Sequence, residues 1–355
     1  MRGAEKNLYK SLGVIALLTA HVGGLDIQSA QGAPEELKND SYGLVIRQLD
    51  KRPDGATVEE IVLRVKESEF SNRIIERKGR LVYYKEAPAT ILISHGFMCD
   101  KFDVGFLRNL FSTRHLNSLT FDFRGHGENS FGQSSTMGRD EAYDVLAAAH
   151  FLKNHPALQK KPLFAYGFSM GAVASIEAQA KEPLFDAMIL DCPFDSSANI
   201  VKKCLENVRF SLFGFDFHLP GRTLLERYVF HPYVQSMVKL LLKTVSAFDP
   251  RSVDMSLYPI SPAQSIKKVS VPCFFIHCKH DEKISVAAIR NIYEGAAGPK
   301  LLWITNGRRH FDSYFYNPDE YTAQVRRFVD RVLKGQFKQQ KESTILEDTD
   351  DVMIG

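Results

Sequence analysis

Short apolar runs separated by segments of helical periodicity dominate the chain from about Thr57 onward. The strand-like runs are Val58 to Val65, Arg80 to Tyr84, Ile91 to Ser94, Ser118 to Phe121, Leu163 to Tyr166, Ala187 to Leu190, Cys273 to His277 and Leu301 to Ile304. The first two alternate apolar and polar positions and predict an antiparallel edge. The later ones are continuously apolar, as strands buried on both faces must be. Between them, Asp140 to Lys153, Met170 to Ala180 and Tyr321 to Leu333 carry helical spacing. In the first of these, Val145, Leu146, Ala149 and Leu152 form the stripe expected to be buried. The second is rich in small residues, which lets a helix lie close against a sheet. This alternation predicts an α/β domain over residues 57–335, with eight strands in a mostly parallel sheet and helices on both faces.

One stretch breaks the alternation. Residues 196–268 hold Phe210, Phe213, Phe215, Phe217, Tyr228, Phe230 and Tyr233, followed by an apolar run from Val234 to Val245. A structureless connection of that length is unusual inside a compact domain, so an inserted helical cap is expected there. Residues 33–56 read as a linker. Residues 336–355 end in Glu347, Asp348, Asp350 and Asp351 and read as an acidic, disordered tail. At the other end, Arg2, Lys6 and Lys10 precede the apolar stretch Leu12 to Ala20, and Ala30-Gln31-Gly32 supplies small residues at a cleavage position. Residues 1–32 therefore predict a secretory signal or an N-terminal anchor, and with it a periplasmic or secreted protein; a cytoplasmic one is the alternative.

Composition narrows the partners. The 355 residues are 44% hydrophobic and 25% charged, enough for one sizeable core, and the net charge is only +3. No Lys/Arg run with interleaved aromatics is present, which argues against nucleic acid. Five cysteines, an odd number, imply no disulfide framework. Cys273 and Cys278 stand five apart in one strand-like run and so face opposite ways. His277, Cys278, His280 and Asp281 match no standard zinc spacing, so no metal is expected.

Three motifs carry candidate chemistry. Gly167-Phe168-Ser169-Met170-Gly171 is a G-x-S-x-G that directly follows a buried strand and directly precedes a helix. A sharp turn there raises the serine hydroxyl above the sheet, and the flanking glycines remove side chains that would clash. His95-Gly96-Phe97 follows an earlier strand, and Asp122-Phe123-Arg124-Gly125-His126-Gly127 follows the next. Asp122, Arg124 and His126 read as scaffold, ordering a loop through an Asp-Arg or Arg-carbonyl network.

With these elements in this order, the chain from about Ile61 to Leu333 resembles the serine hydrolases of the α/β-hydrolase superfamily. More narrowly it is similar to the bacterial esterase, lysophospholipase and serine-aminopeptidase-like branch. The resemblance implies Ser169 as nucleophile, with the backbone N–H groups of Phe97 and Met170 as oxyanion hole. It implies an acid at the end of a late strand, Asp281, and a base after the last strand, His310. Asp191 and Asp195 are rival positions for the acid. This chain has Cys278 where the family usually shows glycine, and Arg308 and Arg309 beside the base; at least one of these arginines is expected to face solvent. The implied reaction is cleavage of a carboxylic ester or thioester through an acyl-enzyme, with no cofactor. Acyl transfer, amide hydrolysis of the aminopeptidase kind and non-catalytic binding on the same scaffold are the alternatives. The aromatic cap points to a small ester-like substrate with an apolar acyl or aromatic group, and leaves room for peripheral membrane or lipid contact.

Overall fold

The computed structural model describes residues 43–49, 55–112, 116–128, 132–207, 209–212, 215–218, 226–236, 254–338 and 343–348. The candidate signal over residues 1–32 lies outside them, as do Phe213 and most of the run from Val234 to Val245. Among the described residues no helix is long and apolar enough to cross a membrane.

All eight expected strands form, and two more extend the sheet to ten. In chain order they are β1 Gly43–Leu49, β2 Thr57–Ser68, β3 Ser71–Tyr83, β4 Thr90–Ser94, β5 Asn117–Phe121, β6 Leu163–Phe168, β7 Ala187–Asp191, β10 Cys273–Cys278, β11 Lys300–Thr305 and β12 Ser343–Glu347. Across the sheet they run β1-β2-β3-β5-β4-β6-β7-β10-β11-β12. β1, β2 and β3 pair antiparallel, and β3 joins β5 antiparallel. From β5 to β12 every pairing is parallel. The expected linker over 33–56 thus contains a strand, and the expected disordered tail over 336–355 contains another. β12 alternates exposed and half-buried residues, so its place rests more on the backbone ladder to β11 than on apolar burial, to which Leu346 contributes by packing against the core. An edge strand needs no continuous apolar run, which is why neither announced itself.

Helices cover both faces. α1 Gly105–Ser112 and α6 Pro318–Leu333 pack on one, around Leu107, Phe274, Trp303, Tyr321 and Phe328. α2 Glu141–Asn154, α3 Met170–Lys181 and α5 Val286–Gly295 pack on the other, around Leu63, Val145, Ile176, Phe275 and Ile289. α2 is buried over a wider arc than its apolar stripe predicts: Ala147 is buried and Leu146 only half-buried. It lies between β2 and α3, so two sides are covered rather than one.

The described part of the 196–268 insertion is not wholly helical. It begins with α4 Ser197–Asn207, then forms a hairpin of β8 Arg209–Leu212 and β9 Phe215–His218. Phe215 and Phe217 alternate with polar residues, a period that fits a strand and not a helix. The base of the insertion is closed where Ser197 N–H donates to the Ile260 carbonyl (3.1 Å) and Ile260 N–H donates to Ser197 Oγ (3.0 Å). Ile200 of α4 packs with Val173 of the first turn of α3.

The site-forming feature is a change of direction in strand order. From β4 the chain moves to β5 on one side, then returns to β6 on the other, so the loops leaving β4 and β6 diverge and open a crevice at their carboxyl ends. Ser94 is paired with Gly167 across those two strands.

Candidate active site

Ser169 stands between β6 and α3 with φ 51° and ψ −114°. A non-glycine residue there stores about 1–3 kcal/mol of strain, which its surroundings must fix in place. The flanking glycines permit it. A Cβ on Gly167 would lie 2.5 Å from Cα of Ala172, and one on Gly171 would collide with the carbonyl oxygens of Ser94 and His95. Ser169 N–H donates to the Asp191 carbonyl (2.8 Å), and the Ser169 carbonyl accepts from Val173 N–H (3.1 Å), so the turn is tied at both ends.

His310 and Asp281 converge on that hydroxyl. The turn after β10 carries Asp281, whose Oδ1 accepts from the N–H groups of Lys283 (2.8 Å) and Ile284 (3.0 Å). Its Oδ2 accepts from Nδ1 of His310 (2.7 Å). A carboxylate can only accept, so the proton on the ring sits at Nδ1 and Nε2 is left to accept from Ser169 Oγ (2.9 Å). Burial alone would push the Asp281 carboxyl up, but the hydrogen bond and electrostatic attraction to His310 and the Ile284 N–H together hold it below its ordinary value. The arrangement can take a proton from the serine and return it to a leaving group. Arg308 and Arg309 are both exposed, so neither cation is buried against the base.

The rival carboxylates are engaged elsewhere. Asp195 Oδ2 accepts from the Asn199 amide (2.8 Å). Asp191 Oδ2 accepts from the hydroxyls of Tyr321 (2.8 Å) and Tyr166 (3.3 Å). Full burial pushes its carboxyl up to about 6, even with the Tyr321 hydrogen bond opposing. No sequence spacing pointed to this tyrosine-carboxylate cluster, because its members come from β6, β7 and α6.

Met170 directly follows Ser169, and Phe97 lies in the loop after β4. Met170 is the first residue of α3, so its N–H has no acceptor within the helix. Its sulfur lies 3.3 Å from Ser135 Oγ, whose proton goes to Glu141 Oε1 (2.8 Å). Phe97 follows Gly96, where a Cβ would come within 2.6 Å of the Phe168 ring. His95 holds this loop: Nδ1 donates to the Gly96 carbonyl (2.7 Å) and Nε2 accepts from Phe123 N–H (3.0 Å). Burial, then the neighbouring His126, lowers its pKa to about 3, so the ring stays neutral.

The loop after β5 is ordered by two buried ion pairs. Asp122 accepts from Lys101 Nζ (2.6 Å) and from Lys101 N–H (2.9 Å). Arg124 grips Asp144 of α2 through Nε (3.0 Å) and a terminal nitrogen (2.9 Å), and also donates to the carbonyls of Lys66 and Glu67. The expected Asp-Arg and Arg-carbonyl contacts are therefore present, but Asp122 and Arg124 serve different partners. Lys101 and Asp144 carried no local signal of their roles.

Comparison with known proteins agrees with the geometry. A family model for the alpha/beta hydrolases matches residues 91–325. The chain belongs to the alpha/beta hydrolase family. The chain is 29% identical over 261 residues to the uncharacterized protein YqkD of Bacillus subtilis, covering 72% of this chain and 75% of that one. It is 29% identical over 112 residues to the putative alpha/beta hydrolase L404 of Acanthamoeba polyphaga mimivirus, covering 31% and 42%. Among solved structures it resembles the Pyrococcus furiosus esterase Pf2001, with TM-score 0.56 and 20% identity, covering 78% of this chain and 93% of that one. The acetyl xylan esterase from Paenibacillus sp. R4 gives TM-score 0.57 at 12% identity, covering 82% and 90%. At such identities the structural likeness speaks for the alpha/beta-hydrolase fold; family membership makes the chain a hydrolase.

Proposed function

We propose that this alpha/beta hydrolase cleaves a carboxylic ester or thioester through an acyl-enzyme, with Ser169 as nucleophile, His310 as general base and Asp281 as the acid that orients it. The unbroken line of hydrogen bonds from Asp281 through His310 to Ser169 carries this reading. Nε2 takes the hydroxyl proton as Oγ attacks the carbonyl carbon. The N–H groups of Phe97 and Met170 receive the oxygen as it becomes negative, each contributing about 3–4 kcal/mol to the transition state. His310 then passes the proton to the leaving oxygen or sulfur, and water, deprotonated by His310, attacks the acyl-enzyme and releases Ser169.

An aromatic wall beside the base supports an apolar or aromatic group on the substrate. Phe311 follows His310 directly and lies 6.2 Å, centroid to centroid, from Phe106, which in turn meets Tyr314 at 4.7 Å and Phe315 at 5.5 Å. Phe315 is 60% exposed, so one face of the wall is free. The base must touch the leaving oxygen, so this wall flanks the alcohol or thiol side. That solved structures resembling the chain include esterases supports an ester rather than an amide.

Acid-quenched single turnover on a p-nitrophenyl ester tests the reading. Mass spectrometry is expected to find the acyl group on the peptide containing Ser169. Hydrolysis that proceeds with no adduct, or with the adduct elsewhere, contradicts it.

A further inference from the structure

Cys192, His277 and Asp281 come from three separate places in the chain, yet each presents a metal-ligating atom within 4.8 Å of the other two. Cys192 is the first residue after β7. Its φ of 51° turns the chain there, and its N–H donates to the Ile276 carbonyl (2.9 Å), which lays it against β10. His277 lies in β10, fully buried. Its Nε2 is 3.2 Å from the Ile284 carbonyl, which can only accept, so Nε2 carries the proton and Nδ1 holds a lone pair. That Nδ1 is buried without a hydrogen-bond partner. An unmet acceptor in the interior costs about 1–3 kcal/mol, and a bound cation would satisfy it.

We propose that these three residues form an inhibitory site for a thiophilic divalent cation of the zinc and cadmium class. Thiolate, imidazole and carboxylate are the donor types that such cations take, whereas magnesium and calcium prefer oxygen alone. Metal bonds of about 2.0–2.3 Å place tetrahedral ligands roughly 3.3–3.8 Å apart, so the site closes with a contraction of about 1 Å. On binding, the Cys192 thiol gives its proton to solvent and the sulfur–metal bond forms; no electrons are exchanged. The spacing along β10 could not reveal the site, because Cys192 comes from the turn after the neighbouring strand, β7. Neither Cys192 nor His277 has a part in the proposed hydrolysis. Asp281 does: a cation on its carboxylate competes with the Nδ1–H of His310, so the base loses its orientation and turnover falls. This consequence rests on the proposed function, but the binding does not.

The test uses the full chain and cadmium ion, whose bond to a thiolate gives an ultraviolet charge-transfer band. The wild-type protein and Ser169→Ala are both expected to show the band, since binding needs no activity. Zinc is expected to inhibit wild-type ester hydrolysis, reversibly on chelation. Cys192→Ala, or Cys192→Ser if the smaller residue unfolds the chain, is expected to keep its basal activity and lose the band. Its zinc inhibition should weaken by more than about tenfold, since losing even an outer-shell partner costs that much in affinity. A wild-type protein without the band overturns the proposal. So does a band or a zinc sensitivity that survives unchanged in the folded Cys192 variant, which would place the metal elsewhere, for instance on His310 itself. A band without any ester hydrolysis in the absence of metal would leave the site standing and remove the proposed function instead.

Discussion

Two buried carboxylates near His310, Asp281 and Asp191, differ in what surrounds them, and that difference sets which form of each is favoured. Asp281 takes two backbone N–H groups and the imidazole, which favour its charged form; Asp191 takes tyrosine hydroxyls in full burial, which leaves its charge poorly compensated. Asp281→Asn is therefore expected to lower kcat by about 10⁴, because the amide favours the wrong ring tautomer. Asp191→Asn should leave activity within a few-fold. Its effect belongs to stability. With a native pKa of about 6 against an ordinary 3.8, the folded protein holds the Asp191 proton more tightly than the unfolded chain does. The stability this contributes is complete below about pH 4 and is lost as pH rises through 6, by at most about 3 kcal/mol. Thermal melts of wild type and Asp191→Asn from pH 4 to 7 check this: the wild type should lose ground to the variant as pH rises. At this scale the sequence made Ser169 and His310 legible, because a glycine-flanked turn and a loop after the last strand have local signatures. The choice among Asp281, Asp191 and Asp195 had none, since each follows a strand and only the folded turn shows which carboxylate meets the imidazole.

Apolar runs in the central strands made those elements legible, and the same runs hid the edges. β4, β6, β7 and β10 are buried throughout and β11 in all but Lys300, so their composition alone distinguishes them. β12 reads Ser-Thr-Ile-Leu-Glu among charged residues and takes its place in the sheet by pairing with β11. Polar scaffolding between elements was equally silent. Lys101 and Asp122 are 2% and 0% exposed and pair at 2.6 Å, linking the segment before α1 to the loop after β5. Removing one partner leaves the other charge buried and unpaired. Lys101→Ala is expected to cost about 3–5 kcal/mol, read as a shift in the denaturant midpoint. Lys101→Met, still leaving Asp122 unpaired, should recover little of it; full recovery would show that the pair contributes packing and not charge.

Across the whole molecule, the base is held from a distant part of the chain. Asp348, just beyond β12, accepts from the Trp303 indole (2.8 Å) and from Asn306 N–H (3.1 Å), at the start of the loop that carries His310. Glu347 pairs with Arg290 of α5, and Tyr293 meets Ser343 at 2.8 Å. A chain truncated after Lys338 should therefore lose more than the edge of a sheet. Its melting temperature is expected to fall, and kcat to fall with it as the 306–310 loop loosens. An unchanged kcat in a less stable protein would mean that the loop does not depend on Asp348.

Whether one serine at the strand-to-helix turn does the chemistry is tested most directly by a fluorophosphonate probe, which reacts preferentially with an activated serine. The wild-type protein should be labelled on the peptide containing Ser169. Labelling should be absent in Ser169→Ala and strongly slowed in His310→Ala, with ester turnover in the serine variant lower by on the order of 10⁵ to 10⁶. Labelling that persists in Ser169→Ala, or maps to another residue, would contradict the account.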